Sequence, residues 1–348
     1  MPTAPVTGPR SLTARRFLLV NACLLLLLVA SLAAGALLGP GGTDFGRLLP
    51  LDPDTNSAAA TLLLYRLPRA LLAALVGMAL AAVGVAFQAL LRNPLADPFI
   101  MGVSGGAALG GTLALALLGG SLGFGLALEG PAAFLGALLA TLLVYWMGRV
   151  AGRVDTTTVL LVGVVFNAFA SAVIMFLEST LAATKTQEIL VWLMGCLGYP
   201  EYATLAALGA VTLPGVLGLW ALSARMNALA LGEQGASHLG VDVERTKRWV
   251  FGLASLLVGL AVAVSGMIGF VGLIVPHLCR LVLGPDHRLL LPAAALAGAS
   301  FLVLADLIAR LLFVWLGSEP PVGAVTAFLG GPFFLLLLRR RAGQVGSN

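Results

Sequence analysis

The chain has 348 residues, of which 59% are hydrophobic and only 10% are charged, and its formal net charge is +5. A soluble domain carries about 25% charged residues, so this chain lacks the polar surface to meet water on all sides. Its cysteines, Cys23, Cys196 and Cys279, show no CxxC or metal-ligand spacing. The composition therefore indicates a membrane protein, and it does not favour redox chemistry or nucleic-acid binding.

Eight continuous apolar runs are long enough, or nearly so, to cross a bilayer as helices of ~20 residues. Lipid offers no partners to backbone polar groups, and uninterrupted runs exclude the alternating pattern of a β-barrel. We therefore expect an all-α fold. The runs are 17–39, 70–91, 103–128, 131–148, 157–177, 202–222, 289–312 and 321–338.

The first run, 17–39, follows Arg10, Arg15 and Arg16, as the apolar core of a cleaved signal peptide would. It is longer than such a core, however, and many further spans follow it. We interpret it as a retained first helix.

A ninth stretch, 249–279, contains no charged residue. It is too long for one straight span and short for two, which would need ~40 residues. Gly266, Gly269 and Gly272 mark the predicted break, because glycine tolerates backbone angles that other residues do not. Non-helical backbone at membrane depth must be covered by protein or line a cavity, so we expect a transport pathway nearby.

The basic residues orient the chain, because short cytoplasmic loops accumulate Lys and Arg. With ten spans and both ends in the cytoplasm, fifteen of the twenty basic residues lie inside. A single crossing by 249–279 would instead send the basic end outside. The basic residues left outside are Arg47, Arg66, Arg69, Lys185 and Arg310. The predicted parts are a cytoplasmic tail (1–16), a transmembrane domain (17–338) and a second cytoplasmic tail (339–348).

A weak internal repeat relates residues 75–84 to residues 257–266 at an offset of 182, and Pro94 and Pro276 follow at the same spacing. In the ten-span arrangement the two copies run in opposite directions, which predicts an inverted repeat of the kind found in transporters. Small residues at close helix crossings could produce part of the match by themselves.

Outside basic residues are scarce, so the closeness of Arg66 and Arg69 is informative. One interpretation makes them interfacial anchors and makes Asp306 and Arg310 an i,i+4 ion pair on one helix face. The other groups Arg66, Arg69 and Arg310 in an outward basic patch for an acidic docking partner.

The segment 226–241 lies in the longest predicted cytoplasmic loop and reads as two short helices separated by Gly232. Capping preferences place Asn227 and Glu233 at the helix starts and Gly240 at the end. The segment could lie on the membrane surface, but we favour a knob that fits a groove on a cytoplasmic protein. Its candidate contact residues are Asn227, Leu229, Leu231, Gly232, Glu233, Ala236, Leu239 and Gly240.

The sequence contains no motif that could couple transport to an energy source. A P-loop needs a lysine after glycine, and neither Lys185 nor Lys247 follows one. No chain of membrane acids suggests a proton relay, since only Asp306 is plausible. Asn167, in the fifth span, is expected to face the bundle interior. His277 is the best candidate ligand, but a structural role is favoured because no second ligand accompanies it.

Several segments together resemble the FecCD-type permeases, the membrane subunits of ABC importers for ferric siderophores, haem and cobalamin. The resemblance runs in family order from about residue 60 to the C-terminus. The matching segments are 66–69, 88–98, 102–107, 229–233, 269–280, 284–288, 305–310 and 319–323.

The resemblance implies the type II ABC importer permease fold in a bacterial inner membrane, with no catalytic residue and no cofactor on this chain. A homodimer or close heterodimer would pass the solute between its subunits. Two cytoplasmic ATPase subunits, using ATP and Mg, would seat the segment 226–241. A periplasmic binding protein would meet Arg66, Arg69 and Arg310.

The same resemblance implies that Asn167 and the segment Pro321, Val322 and Gly323 line or gate the pathway. The expected cargo is a metal chelate, with haem slightly favoured over a ferric siderophore or cobalamin. The alternative function is a secondary transporter driven by an ion gradient, and a second rival is a membrane scaffold or sensor that carries no solute.

Overall fold

The computed structural model describes residues 12–40, 52–94, 96–118, 121–122, 126–150 and 153–345. These residues are almost entirely helical, as the sequence predicts, with two short antiparallel hairpins, β1–β2 (Ser121–Leu122, Leu126–Ala127) and β3–β4 (Arg149–Val150, Arg153–Val154). The helices are α1 (Ala14–Leu37), α2 (Ser57–Ala60), a π-helical turn (Thr61–Arg66), α3 (Leu67–Leu90), a 3-10 turn (Pro98–Met101), α4 (Val103–Leu118), α5 (Glu129–Met147), α6 (Thr156–Thr180), α7 (Ala183–Leu193), α8 (Tyr202–Ala221), α9 (Ser223–Leu229), α10 (Glu233–His238), α11 (Val243–Ser265), α12 (Val271–Leu283), α13 (His287–Leu316) and α14 (Val322–Val345).

Ten apolar helices among the described residues correspond one to one to the ten predicted spans. Seven are long enough to cross a membrane, and three, in α4, α12 and α14, are shorter. The third run is where the prediction fails in length: α4 ends at Leu118 rather than near residue 128. The run 119–125 contains four glycines, which disfavour a continuous helix.

The predicted break in the stretch 249–279 is confirmed. Helix α11 ends at Ser265, Gly266 follows with φ +64°, and α12 begins at Val271. Because α12 has only 13 residues, it is ~20 Å long. Phe270 also has a positive φ, +69°. Gly272 lies inside α12 and not at the break. Its lack of a side chain makes room for Pro98.

The second span is longer than the sequence suggests. The helix is continuous from Ser57 to Leu90, so Pro68 lies within it and not at its start. The π-helical turn comes directly before this proline, and in a π-helix each N–H bonds the carbonyl five residues earlier. Because Pro68 has no N–H, the carbonyl of Leu63 lacks its helical hydrogen bond. The hydroxyl of Tyr202 donates to that carbonyl at 2.6 Å instead, which satisfies a group that lipid could not.

Helix α3 forms the centre of the bundle and is buried along nearly its whole length. It packs against α13, α11, α12 and α8. Glycine permits the closest crossings: a side chain at Gly84 would clash with the carbonyl of Gly272, and one at Gly77 would clash with that of Gly298. Small residues at such crossings let helices approach closely in lipid.

The two copies of the sequence repeat both lie in buried helices, residues 75–84 in α3 and 257–266 at the end of α11. The prolines that follow have different surroundings. Pro94 lies in the turn after α3, whereas Pro276 lies inside α12. The inverted repeat stays a prediction.

Candidate functional site

Four charged side chains, three of them buried, form a cluster at the end of the bundle that the arginines predict to face outside, here called the outer end. Arg69 donates through Nε to Oδ1 of Asp306 at 2.9 Å and through Nη1 to the hydroxyl of Tyr199 at 3.1 Å. Its Nη2 also pairs with Glu319. The guanidinium lies 5.3 Å from the centroid of the Tyr199 ring. The cluster thereby joins α3, α13, the turn after α7 and the turn before α14.

Arg310 completes the cluster. Its Nε lies 3.0 Å from Oδ2 of Asp306, which confirms the predicted i,i+4 ion pair on α13. Its Nη2 donates to the carbonyl of Gly35 at 2.8 Å, near the end of α1. The two carboxylates balance the charges of the two arginines, as burial of the arginines requires.

The predicted outward patch needs correction in one respect. Arg69 and Arg310 are 3% and 4% exposed, because Asp306 and Glu319 take up their charges within the chain. Arg66 is half-buried and donates to the carbonyl of Leu37 at 3.3 Å. The three arginines do lie near one another, but they do not form an exposed basic surface. Their docking role stays a prediction.

The predicted gate residues lie beneath this cluster. The N–H of Gly323 donates to the carbonyl of Gly195 at 3.2 Å, and Val322 is buried. A side chain at Gly323 would clash with the carbonyl of Met194, and one at Gly266 would clash with that of Trp192. The end of α7, the break before α12 and the start of α14 therefore meet backbone to backbone. Pro321, between Glu319 and this junction, is half-buried.

Asn167 faces its own bundle, as expected for a polar residue at membrane depth. Its Nδ2 donates to the carbonyl of Phe99 at 2.7 Å, and its side chain fills the space beside Gly105. The opposite side of α6 exposes large apolar residues, among them Val165, Phe169 and Phe176. The pathway roles of Asn167 and of Pro321, Val322 and Gly323 stay predictions.

The segment 226–241 forms two short helices at the other end of the bundle, and Gly232 separates them with φ +100°. Gly240, with φ +78°, follows the second helix. The start of α10 at Glu233 is confirmed. The predicted start of the first helix at Asn227 is wrong, because α9 begins at Ser223 and follows α8 almost without a break.

Asn227 instead joins α9 to the start of α13. Its Nδ2 donates to Oδ1 of Asp286 at 2.7 Å, and its Oδ1 accepts the N–H of His287 at 2.9 Å. The hydrogen bonds from the Arg288 side chain, together with the one from Asn227, lower the pKa of Asp286 to about 2. Asp286 is therefore charged at every physiological pH.

Lys247 anchors the second helix. Its Nζ donates to Oε1 of Glu233 at 2.8 Å and to the carbonyl of Val154 at 2.7 Å, and it lies 3.5 Å from Glu244. The lysine is 1% exposed. Helix α10 is thus fixed both to α11 and to the hairpin that follows α5.

The apolar residues of the segment divide into two groups. Leu229 and Ala236 are buried, at 3% and 0% exposure, and hold the helices to the bundle. Leu231 and Leu239 are 71% and 64% exposed. These exposed leucines lie on a firmly anchored helical pair and are available for contact with another protein.

Sequence reasoning missed the partners of these residues. Glu319 reads as a solvated loop residue because its partner Arg69 is 250 residues away in the sequence. Lys247 reads as one more cytoplasmic charge because nothing in the sequence shows that it is buried, although its partners Glu244 and Glu233 are only 3 and 14 residues away. His277, the candidate ligand, is buried in α12. Within the described ranges, no three His, Cys, Asp or Glu side chains come together to hold a metal.

Comparison with known proteins identifies the family. Residues 23–340 match the FecCD transport family. The hemin transport system permease protein HmuU of Yersinia pestis is 42% identical over 329 residues, covering 93% of this chain and 96% of that protein. The cobalamin import system permease protein BtuC of Halobacterium salinarum is 46% identical over 276 residues, covering 79% and 72%.

The fold is similar to that of a solved relative. A metal-chelate type ABC transporter in an inward-facing conformation superimposes with a TM-score of 0.78 at 32% identity. The match covers 93% of this chain and 99% of that one. The chain belongs to the FecCD transport family and is a multi-pass membrane permease.

Proposed function

We propose that the chain is the permease subunit of an ATP-driven importer that carries a large metal chelate across the bacterial inner membrane into the cytoplasm. The observation that carries the proposal is the pair of exposed leucines, Leu231 and Leu239, on helices fixed to the bundle by Lys247 and Asn227. A cytoplasmic ATPase subunit that uses ATP and Mg binds this surface and supplies the energy for transport.

The remaining partners follow the same proposal. A second copy, or a close relative, pairs with this chain, and the exposed apolar side of α6 is available for that contact. A soluble periplasmic binding protein docks at the outer end near Arg66, Arg69 and Arg310. Both termini lie in the cytoplasm, in keeping with the distribution of arginines.

The cargo belongs to the group named for the relatives, which comprises cobalamin, hemin and iron chelate. All three are bulky, so the pathway between two subunits must be wide. We favour haem slightly, as the HmuU relative is similar over nearly the whole of both chains.

The rival function is secondary transport driven by an ion gradient. A proton gradient drives transport through an acid in the membrane that can gain and lose its proton. Asp306, the candidate for this role, is 0% exposed and holds both Arg69 and Arg310. Protonating it would leave two buried arginines without their shared partner, which is costly. The structure thus favours the ATP-driven function.

Reconstitution tests the proposal. Proteoliposomes would contain the chain and its ATPase subunits, with hemin, a ferric siderophore or cyanocobalamin supplied on the matching soluble binding protein. We expect uptake of one cargo that requires ATP on the ATPase side and is unaffected by an ionophore. Uptake that persists without ATP and collapses with an ionophore would establish the rival function instead.

A further inference from the structure

The two carboxylates on Arg69 differ in their access to water. The Asp306 side chain is 1% exposed and is shared with Arg310, whereas the Glu319 side chain is 33% exposed. Among the described residues, Arg69 is the one ion-pair partner of Glu319. The contact with Asp306 is therefore structural, and the contact with Glu319 is the one that can open without exposing the core.

The surface around this contact has the composition of a protein interface. Tyr65 and Tyr199 are 52% and 55% exposed and pack edge to face, with ring centroids 5.7 Å apart. Arg66 lies beside them, half-buried. Tyrosine and arginine are enriched among the residues that dominate binding energy at interfaces. A partner that covers the tyrosines also covers the edge of Arg69 that Glu319 occupies.

Glu319 is also coupled to the predicted gate through the backbone. Pro320 and Pro321 follow it directly and restrict the chain, so a displacement of Glu319 is passed on rather than absorbed. Helix α14 then begins at Val322, and the N–H of Gly323 is bonded to Gly195.

We propose that the outward edge of Arg69 is a carboxylate-binding site, occupied by Glu319 until a carboxylate side chain of the soluble binding protein replaces it. The exchange frees Glu319 and loosens the start of α14. Arg69 keeps two carboxylates before and after the exchange, so no unpaired buried cation is created. This inference rests on the proposed function, because it requires a binding protein at the outer end.

The decisive variant is Glu319→Gln, which removes the internal competitor while keeping the shape of the side chain. The probe is the soluble hemin-, siderophore- or cobalamin-binding protein that docks on the wild-type permease–ATPase complex in nanodiscs. We expect the variant to bind this protein about tenfold more tightly. A merely structural role for Glu319 predicts unchanged or weaker binding, which would overturn the exchange.

Glu201→Gln is the matched control, because Glu201 is an exposed carboxylate at the same end. It changes the net charge equally but does not contact Arg69, so we expect little change in affinity. An equal gain in both variants would reveal general electrostatics and overturn the proposal. Glu319→Asp, which keeps the competing charge, should not tighten binding.

Hydrogen exchange supplies an independent readout. The amide of Gly323 should exchange faster in Glu319→Gln and in the wild type with binding protein docked. Docking of cargo-free binding protein should suffice. An effect seen only with loaded protein would assign the carboxylate to the cargo and overturn the proposal. If none of the three proteins binds the wild type, the proposed function fails together with the inference. Binding without the Glu319 effect removes the inference alone.

Discussion

The Nζ atom of Lys247 lies 2.8 Å from Oε1 of Glu233, and the pair links α11 to the short helix α10. The lysine also holds the carbonyl of Val154 at the end of the β3–β4 hairpin. One ammonium group therefore joins three elements at the end of the bundle that carries the segment 226–241. We therefore expect movement of α10 to be transmitted to a membrane helix through this group.

Replacing the lysine should disconnect these elements. In Lys247→Met the side chain keeps its length but loses its charge, so the carbonyl of Val154 and the carboxylate of Glu233 lose their partner. We expect a loss of stability of about 2 kcal/mol, below the range for a fully buried pair because Glu233 is 40% exposed. Uptake per ATP hydrolysed should fall further than ATP hydrolysis itself.

The chain contains one other lysine, Lys185, which provides the control. It is partly exposed and pairs with the exposed Glu188, so Lys185→Met should leave stability and uptake within error of the wild type. Equal effects of the two variants would contradict the role given to Lys247. Thermal unfolding in detergent and a coupled transport assay measure both quantities.

A substitution at Leu231, an exposed leucine of the segment 226–241, tests the proposed contact with an ATPase subunit. In Leu231→Asp a charge replaces a side chain that is 71% exposed, so folding should be little affected. A desolvated charge at an interface is costly, and we expect the ATPase subunits to dissociate during gel filtration. Gln187→Asp places the same charge at the outer end and should retain the complex. A stable complex in both variants would exclude Leu231 from the interface.

The closest helix crossing predicts a strong effect of a single methyl group. A side chain at Gly84 would meet the carbonyl of Gly272, which is backbone and has little room to move. Gly84→Ala should therefore destabilise the chain by about 2 kcal/mol, as overpacking does. Gly209→Ala in α8 adds its methyl group to open space and should be neutral or slightly stabilising. Thermal unfolding of both variants measures the difference.

Asp97 predicts a pH dependence of stability. It lies in the turn before Pro98, 8% exposed, and burial raises its pKa to about 6 although it accepts the N–H of Phe99. The folded chain holds this proton to higher pH than the unfolded chain. The free energy of unfolding should therefore fall by about 3 kcal/mol as the pH rises from about 4 through about 6.

Asp97→Asn should abolish that fall, because the amide stays neutral and can still accept the same N–H. Asp155 is the control of opposite sign: the backbone N–H and hydroxyl of Thr158 lower its pKa. Asp155→Asn should lose stability at neutral pH and not in acid. Melting curves between pH 4 and 8 that are parallel for Asp97→Asn and wild type would refute the assignment.

Much of the fold follows from the sequence because bilayer crossing leaves few options. Long apolar runs must become helices, and the glycine at 266 marks where one stretch cannot remain a single helix. The first and last residues of the helices were less predictable. The helix from Ser57 passes through Pro68, and the carbonyl of Leu63 that the proline leaves free accepts a hydrogen bond from Tyr202, 139 residues after Leu63 in the chain. No local pattern in the sequence reveals this bond.

In the candidate functional site, too, the sequence predicts where the segments lie but not which contacts their side chains make. The knob could be located from its composition, since it has too many apolar residues for a linker and too few for a span. The sequence does not predict which leucines of the segment are exposed, because burial depends on packing against other helices. The arginine cluster was located, but its neutralisation by Asp306 and Glu319 depends on contacts up to 250 residues apart in the chain.

The π-helical turn at Thr61–Arg66 has a consequence for how this region tolerates changes in length. A π turn contains one residue more than the α-helical turn it replaces, so it accommodates that residue without the rotation of roughly 100° that an insertion would impose on a regular α-helix. Deleting one residue there would convert the turn to α-helix and leave both Ser57–Ala60 and Leu67–Leu90 in their present directions. A change of one residue in length at this turn should therefore leave the packing of the membrane helix intact.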